Sequence, residues 1–256
     1  MSYRTDRCVN VLGVGVDVVD IGGAVTACEK MISTGGRGYV CVTGVHGVME
    51  AQEDPEFRLI LNRSFLTVPD GMPLVWVGRL QGYRGIRRTY GPEFMMEFCR
   101  HSVERSYRHF LYGGKVGVAE ELASTLRQRL PGLKIVGTYT PPFRPLTCDE
   151  EIQLFTQVTA CQPDVIWVGL STPKQEKFMA QYISRLDTRL LVGVGAAFDV
   201  HTGYIKDAPG WMKAAGLQWL HRLLQEPRRL WKRYLINNPR FLLQIVLQLA
   251  GIAQYS

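Results

Sequence analysis

Short apolar runs alternate along this chain with stretches in which apolar residues recur every three or four positions. The runs Asn10–Val14, Tyr39–Thr43, Phe65–Val68, His109–Tyr112, Lys134–Gly137, Val165–Gly169 and Leu190–Gly195 are short and partly β-branched, and several end in glycine. That pattern predicts strands. The segments between them read helical, with Ala24–Ile32, Val118–Leu130, Glu150–Ala160 and Lys174–Leu186 as the clearest. Strand and helix alternating at this spacing predict βαβ units. The expected fold class is α/β, Rossmann-like, a mainly parallel sheet with helices on both faces.

The pattern changes after about Gly203. No strand is expected beyond it. Leu217–Leu224 and Pro227–Asn237 predict short helices, and Phe241–Ala253 (FLLQIVLQLAGIA) predicts an apolar helix relieved only by glutamine. The expected organisation is an α/β body over residues 1–203 and a basic helical appendage over residues 204–256.

Composition agrees with a folded chain. Of 256 residues, 46% are hydrophobic and 21% charged, enough for a sizeable core and unlike a disordered chain. The net charge of +7 is unevenly placed: from Lys206 to Arg240 there are eight Lys or Arg against Asp207 and Glu226. An anionic partner is implied, whether lipid, phosphate or nucleic acid. Six scattered cysteines without a Cys-x-x-Cys pair suggest reduced cytosolic thiols. The opening MSYRTDRCVN has no apolar signal-peptide core, and no window of 18 uninterrupted apolar residues suggests a spanning helix.

The candidate chemistry lies where strands end. Asp70 follows the third run in Val68-Pro69-Asp70-Gly71-Met72, where an open α/β sheet places its ligands. A carboxylate there can take a proton from an attacking hydroxyl. Capping the next helix is the commoner role for such an aspartate. Gly113 and Gly114 form a glycine-rich turn whose N–H groups suit phosphate, although an ordinary βα turn has the same residues. After the sixth run, Ser171 or Thr172 can cap a helix with Pro173 in its first turn. Gln175 can then offer its amide to a base or sugar, and Glu176 can complement the helix dipole. Asp199 follows Gly193-Val194-Gly195 and can accept from a ribose or base, or serve as a plain loop aspartate. No Asp-x-Asp, His-x-x-x-His or cysteine cluster suggests a metal, and no Gly-x-Ser-x-Gly elbow suggests a hydrolase.

In the tail, arginines interleave with Trp and Leu from Trp219 to Tyr234. A helix would carry a basic and an aromatic face, suited to a membrane interface. Arginines also clamp pyrophosphate. Nucleic acid is the competing partner, but the neighbouring apolar helix favours lipid. Docking on the protein itself or a homo-oligomer are the other uses of that face.

Together these blocks resemble the WecG/TagA/CpsF family of bacterial glycosyltransferases, glycosyltransferase family 26. The resemblance runs through Val40–Gly47, Asp54-Pro55-Glu56, Pro69–Met72, Tyr90-Gly91-Pro92, Tyr112–Gly117, Gly169–Glu176, Gly193–Asp199, Gly203–Pro209 and Gly216–Tyr234. It implies an inverting, metal-independent transfer from a UDP-sugar to a polyprenyl-diphosphate-linked saccharide, with no resident cofactor. It also implies Asp70 as general base and Thr43, Gln175 and Asp199 in the pocket. Arg222, Arg229 and the Lys232/Arg233 pair would be carried over the site and onto an anionic membrane. The implied location is cytoplasmic, peripheral on the inner face of the cell membrane. Many members have Thr-x-Asn where this chain has Thr43-Gly44-Val45, so His46 is expected to take over part of the missing polar role. That departure resembles an exopolysaccharide branch, with a hexose or an N-acetylhexosamine as donor sugar. A Rossmann-type nucleotide-dependent oxidoreductase, or a non-catalytic basic membrane binder, is the alternative that the residues alone leave open.

Overall fold

The computed structural model describes residues 8–255. It opens with the antiparallel hairpin β1 (Cys8–Val11) and β2 (Val14–Asp17), followed by α1 (Ile21–Ser33). Next come β3 (Gly38–Thr43), α2 (Val45–Glu53), α3 (Pro55–Arg63), β4 (Leu66–Pro69), α4 (Met72–Leu80) and α5 (Gly91–Arg105). The middle is β5 (Arg108–Gly113), α6 (Val118–Arg129), β6 (Lys134–Tyr139), α7 (Cys148–Cys161), β7 (Val165–Gly169), α8 (Lys174–Tyr182) and β8 (Leu190–Gly193). Four helices finish the described chain: α9 (Ala197–His201), α10 (Gly210–Ala214), α11 (Gln218–Gln225) and α12 (Pro227–Leu249).

Six strands form one parallel sheet in the order β4-β3-β8-β7-β5-β6. Alternate side chains of each strand go to opposite faces. Tyr39, Cys41, Phe110, Tyr112, Ile166, Val168 and Leu191 enter one apolar cluster, with residues of the hairpin, α2, α3, α4, α7, α8 and α12. Val40, Val42, Leu111, Val165, Trp167, Leu190 and Val192 enter a second, with residues of α1, α5, α6 and α9. Burial on both faces explains why the strands read as unbroken apolar runs. The expected α/β, Rossmann-like sheet covered on both sides is therefore the fold.

Three local expectations are corrected. Asn10–Val14 is not one strand but the turn of the hairpin. Leu12 and Gly13 both take positive φ (51° and 80°), as a two-residue hairpin turn requires. Side chains from distant helices hold this turn: Gln52 donates to the Leu12 carbonyl, Gln248 accepts from the Leu12 N–H, and Asn62 bonds Gly13 and Gly15. The hairpin also hooks onto the edge strand β4, because Asp17 Oδ2 accepts the Thr67 N–H at 2.7 Å. Second, the helix expected to reach Leu186 stops at Tyr182. Third, the two helices expected over Pro227–Asn237 and Phe241–Ala253 are a single 23-residue helix, α12, that runs through Pro239. Proline removes one hydrogen bond there. Buried Leu230, Phe241 and Ile245 keep the helix docked along its length.

Candidate active site

All six sheet strands are parallel, so their carboxyl ends share one edge, the usual ligand edge of an open α/β sheet. Thr43 ends β3, Gly113 ends β5, Gly169 ends β7, and Asp70 directly follows β4. Asp70 is tied to its neighbours: its N–H donates to the Thr43 carbonyl at 2.9 Å, and its own carbonyl accepts from Arg88 Nε at 3.0 Å. It does not cap α4, whose N-cap is Gly71 without a side-chain bond. Its Oδ1 instead accepts the N–H of Gly91, the first residue of α5, at 3.1 Å. Burial raises the Asp70 pKa above the usual aspartate range, against Arg88, the Gly91 N–H, Arg233 and Arg222, which pull it down. A carboxylate so placed is a stronger base than a solvated one, yet the surrounding cations favour its ionised form.

Of these cations Arg88 belongs to the body, and Arg222 and Arg233 belong to the appendage. Glu226 holds Arg222 at 3.0 Å, together with Arg229 at 2.6 Å. Arg222 acts electrostatically on both Asp70 and Asp199, and Arg229 on Asp199. Asp199, in α9, also feels Lys115, and burial lifts its pKa against all three cations. Lys115 and Glu226 were not candidates in the sequence. The signal for Lys115 was its place beside Gly113–Gly114; that for Glu226 was its spacing of four and three from the two arginines. Arg233 is the most enclosed of the set: it influences Asp70, His46, Glu50 and Glu176, and its Nε has no hydrogen-bond partner. Lys232 does not join it. Its side chain is on the exposed side of α12, with Nζ 5.6 Å from the Trp231 ring centre, because successive helical residues point about 100° apart.

Several backbone and side-chain expectations change. The Gly114 N–H donates to the Gly169 carbonyl at 3.0 Å, so it is not available to phosphate. Gly113 instead serves close strand packing: at φ 124°, a Cβ on it would lie 2.6 Å from the Gly169 oxygen. Gln175 is buried, its Oε1 accepting from the Gly195 N–H and its Nε2 donating to Glu176 Oε1, each at 3.0 Å. It braces the β8 turn and Glu176 rather than offering a free amide. Neither Ser171 nor Thr172 caps α8 through its side chain, and Pro173 stands at the N-cap rather than inside the first turn. The Thr172 hydroxyl donates to Glu176 Oε1 at 2.9 Å.

His46 is the second residue of α2 and hydrogen-bonds the Thr172 backbone, with Nδ1 3.5 Å from Glu50 Oε1. Burial and Arg233 depress its pKa to about 4, so it is neutral at pH 7. Thr43 is buried, and its hydroxyl has no partner. Appendage and body also meet through Arg88, which bonds Gln218 of α11, and through Tyr90, whose hydroxyl donates to Asp207 at 3.1 Å.

On its outer side α12 exposes Trp231, Leu235, Leu242, Leu243, Val246 and Leu249, with Arg228 and Lys232 beside them. No helix among the described residues is long and apolar enough to cross a membrane. Among those residues, no three His, Cys, Asp or Glu side chains gather as a set of metal ligands.

A parallel sheet whose strand ends gather two carboxylates and a group of arginines has the architecture of an enzyme that handles a phosphorylated ligand. Comparison with known proteins makes the class definite: this is a glycosyltransferase. Residues 9–254 match the glycosyl transferase WecG/TagA/CpsF family, and the chain belongs to it. It is 31% identical over 196 residues to the N-acetylglucosaminyldiphosphoundecaprenol N-acetyl-beta-D-mannosaminyltransferase of Bacillus subtilis (strain 168), covering 77% of this chain and 74% of the relative. The enzyme of the same name from Bacillus spizizenii is 27% identical over 197 residues, with the same coverage.

Proposed function

We propose that the chain transfers one sugar from a UDP-sugar to a polyprenyl-diphosphate-linked saccharide, with inversion and without a metal, at the inner face of the cell membrane. The observation that carries this reading is Asp70, a strand-end carboxylate with a raised pKa that faces Arg222 and Arg233 of the appendage. In the mechanism, Asp70 takes the proton from the acceptor hydroxyl as that oxygen attacks the anomeric carbon. The bond to the UDP oxygen breaks on the opposite face. Negative charge developing on the diphosphate is met by Arg222, Arg229 and Lys115, which already surround Asp199. Glu226 holds the two arginines in place until the diphosphate arrives.

The relatives' names support an N-acetylhexosamine donor and an undecaprenyl-diphosphate-linked acceptor over a simple hexose. An exopolysaccharide role is part of the reading and rests on the Val45 departure alone. The exposed apolar stripe of α12, flanked by Arg228 and Lys232, supports docking on an anionic bilayer that holds the acceptor.

Asp70→Asn is expected to lower kcat by at least about 100-fold, the usual contribution of a positioned base, with fold and UDP binding unchanged. Near-normal turnover would remove the base assignment. Turnover is also expected to persist in excess EDTA, and abolition by chelation, reversed by a divalent cation, would refute the metal-free route.

A further inference from the structure

The segment that leads into α5 is stitched to the end of β4. The Thr89 N–H donates to the Pro69 carbonyl at 2.7 Å, the Gly91 N–H to Asp70 Oδ1 at 3.1 Å, and Arg88 Nε to the Asp70 carbonyl at 3.0 Å. Tyr90 stands in the middle of this seam as the N-cap of α5, 7% exposed. The Arg88 guanidinium carbon lies 4.4 Å from its ring centre, and Lys213 Nζ of α10 lies 5.4 Å from the same centre. The Tyr90 hydroxyl reaches the appendage, donating to Asp207 Oδ1 at 3.1 Å. Asp207 gathers the start of the appendage: Oδ1 also accepts from Gln218 Nε2 at 3.4 Å, and Oδ2 is 2.6 Å from Lys213 Nζ. Gln218 Oε1 in turn accepts from Arg88. The contacts close a ring through Tyr90, Asp207, Gln218 and Arg88, and Asp70 is bonded to its body side by Arg88 and the Gly91 N–H.

Neither α10 nor α11 has a buried residue. The Gly216 backbone between them rests on Trp76, where a Cβ would come within 2.8 Å of the ring. That apolar contact attaches the appendage but is non-directional, whereas hydrogen bonds fix orientation. We propose that Tyr90 is the positioning residue that couples the appendage to the strand-end carboxylate, its hydroxyl setting α11 through Asp207 while its ring keeps Arg88 on Asp70. The inference rests on the reading of Asp70 as base and of Arg222 and Arg229 as the cations that meet the leaving diphosphate. It adds the residue that aligns the two. Gln218 and Arg222 are four apart in α11 and share one face of it. Holding Gln218 against Arg88 and Asp207 therefore fixes where Arg222 is carried, and Arg222 acts electrostatically on Asp70. The part played by Tyr90 is indirect, through Asp207 and Arg88. A cation displaced from its place costs rate chiefly as charge develops, so the coupling belongs to kcat more than to donor binding.

One test needs no substrate. In hydrogen–deuterium exchange of the full chain, Tyr90→Phe is expected to speed the amides of α11 about tenfold, the worth of one hydrogen bond, and to leave those of β4 and β5 unchanged. Unchanged α11 exchange would overturn the coupling. The other is steady-state kinetics with N-acetylglucosaminyl-diphosphoundecaprenol as acceptor and whichever of UDP-N-acetylmannosamine, UDP-N-acetylglucosamine and UDP-glucose the wild-type chain turns over fastest. Tyr90→Phe should lower kcat about tenfold, keep the donor KM within about twofold and leave the acid limb in place, because the Gly91 N–H and Arg88 stay on Asp70. Its melting temperature should move by no more than a few degrees, since only a hydroxyl is removed. Asp207→Asn still accepts from Tyr90 and should lose less activity than Asp207→Ala. Tyr90→Phe combined with Asp207→Ala should be no slower than Asp207→Ala alone, since both cut the same link. Losses that multiply, a shifted acid limb, or a raised KM at normal kcat would each refute the proposal. A wild-type chain that turns over none of the three donors refutes the UDP-sugar reading instead; the exchange measurement still decides the coupling, so the two failures are distinct.

Discussion

Asp70 is pulled in two directions, by burial toward the neutral acid and by Arg88, Arg222, Arg233 and the Gly91 N–H toward the carboxylate. Burial is the larger influence, so its pKa lies above the ordinary value of about 3.9. A general base works only when ionised. The acid limb of kcat/KM is therefore expected above the normal aspartate range, with the rate falling as pH drops through the raised pKa. An acid limb at or below about pH 4 would assign the proton transfer to another group. The sequence made Asp70 visible because a lone acid after an apolar run is easy to see. It could not show that Gly71 takes the capping position, which frees the carboxylate for Gly91. The burial of Glu176 was hidden for a related reason: it stands in the first turn of α8 as expected, but a glutamate there is usually solvated, and only the packed structure shows it sealed from water.

At the scale of the element, α12 has two faces with different tasks. Phe241 and Ile245 enter the core on one side, while Leu243 and Val246 face outward on the other. Phe241→Ala is expected to cost about 3–5 kcal/mol of stability, as buried aromatic truncations do. Leu243→Ser with Val246→Ser should leave the melting temperature within a few degrees and reduce sedimentation with phosphatidylglycerol vesicles. Equal binding by the double variant would mean that this stripe does not meet lipid. The strong alternation of strand and helix in the body was legible because parallel strands buried on both faces leave a simple apolar signature. The α12 division was not. Its apolar residues surround most of the helix, and which of them turn inward depends on α2 and the hairpin, elements remote in sequence. The Leu12–Gly13 turn was missed because leucine rarely adopts positive φ; its conformation is fixed by Gln52, Asn62 and Gln248 from elsewhere in the fold.

For the molecule as a whole, acid should be destabilising. His46 and His109 are held neutral, with pKa values depressed to about 4 and about 3, and His201 is depressed as well. A depressed histidine contributes stability fully above its unfolded pKa of about 6.5 and loses it as pH falls toward the folded value. Glu150, at about 2, and Asp54 and Glu151, also lowered, lose their share in the carboxylate range. Asp70, Glu176, Asp199 and Glu50 run the other way: a raised carboxyl contributes below its unfolded pKa and loses that contribution as pH rises. More groups oppose acid than favour it, and three cations restrain the rise of Asp70. The melting temperature is expected to fall steadily from pH 7 to pH 4, and a rising curve in that window would show that the buried carboxyls dominate.

The contact between Gln248 and the first hairpin sets an order of events during synthesis. Asn10 and Leu12 leave the ribosome long before α12, yet the Asn10 carbonyl and the Leu12 N–H bond the side chain of Gln248, made more than 230 residues later. The hairpin turn therefore stays incomplete until α12 has emerged. During that interval the apolar inner surface that α12 will cover is open. A nascent chain stalled before residue 241 would present that surface to chaperones or to other nascent chains, and translation speed becomes one of the determinants of how much active enzyme a cell obtains.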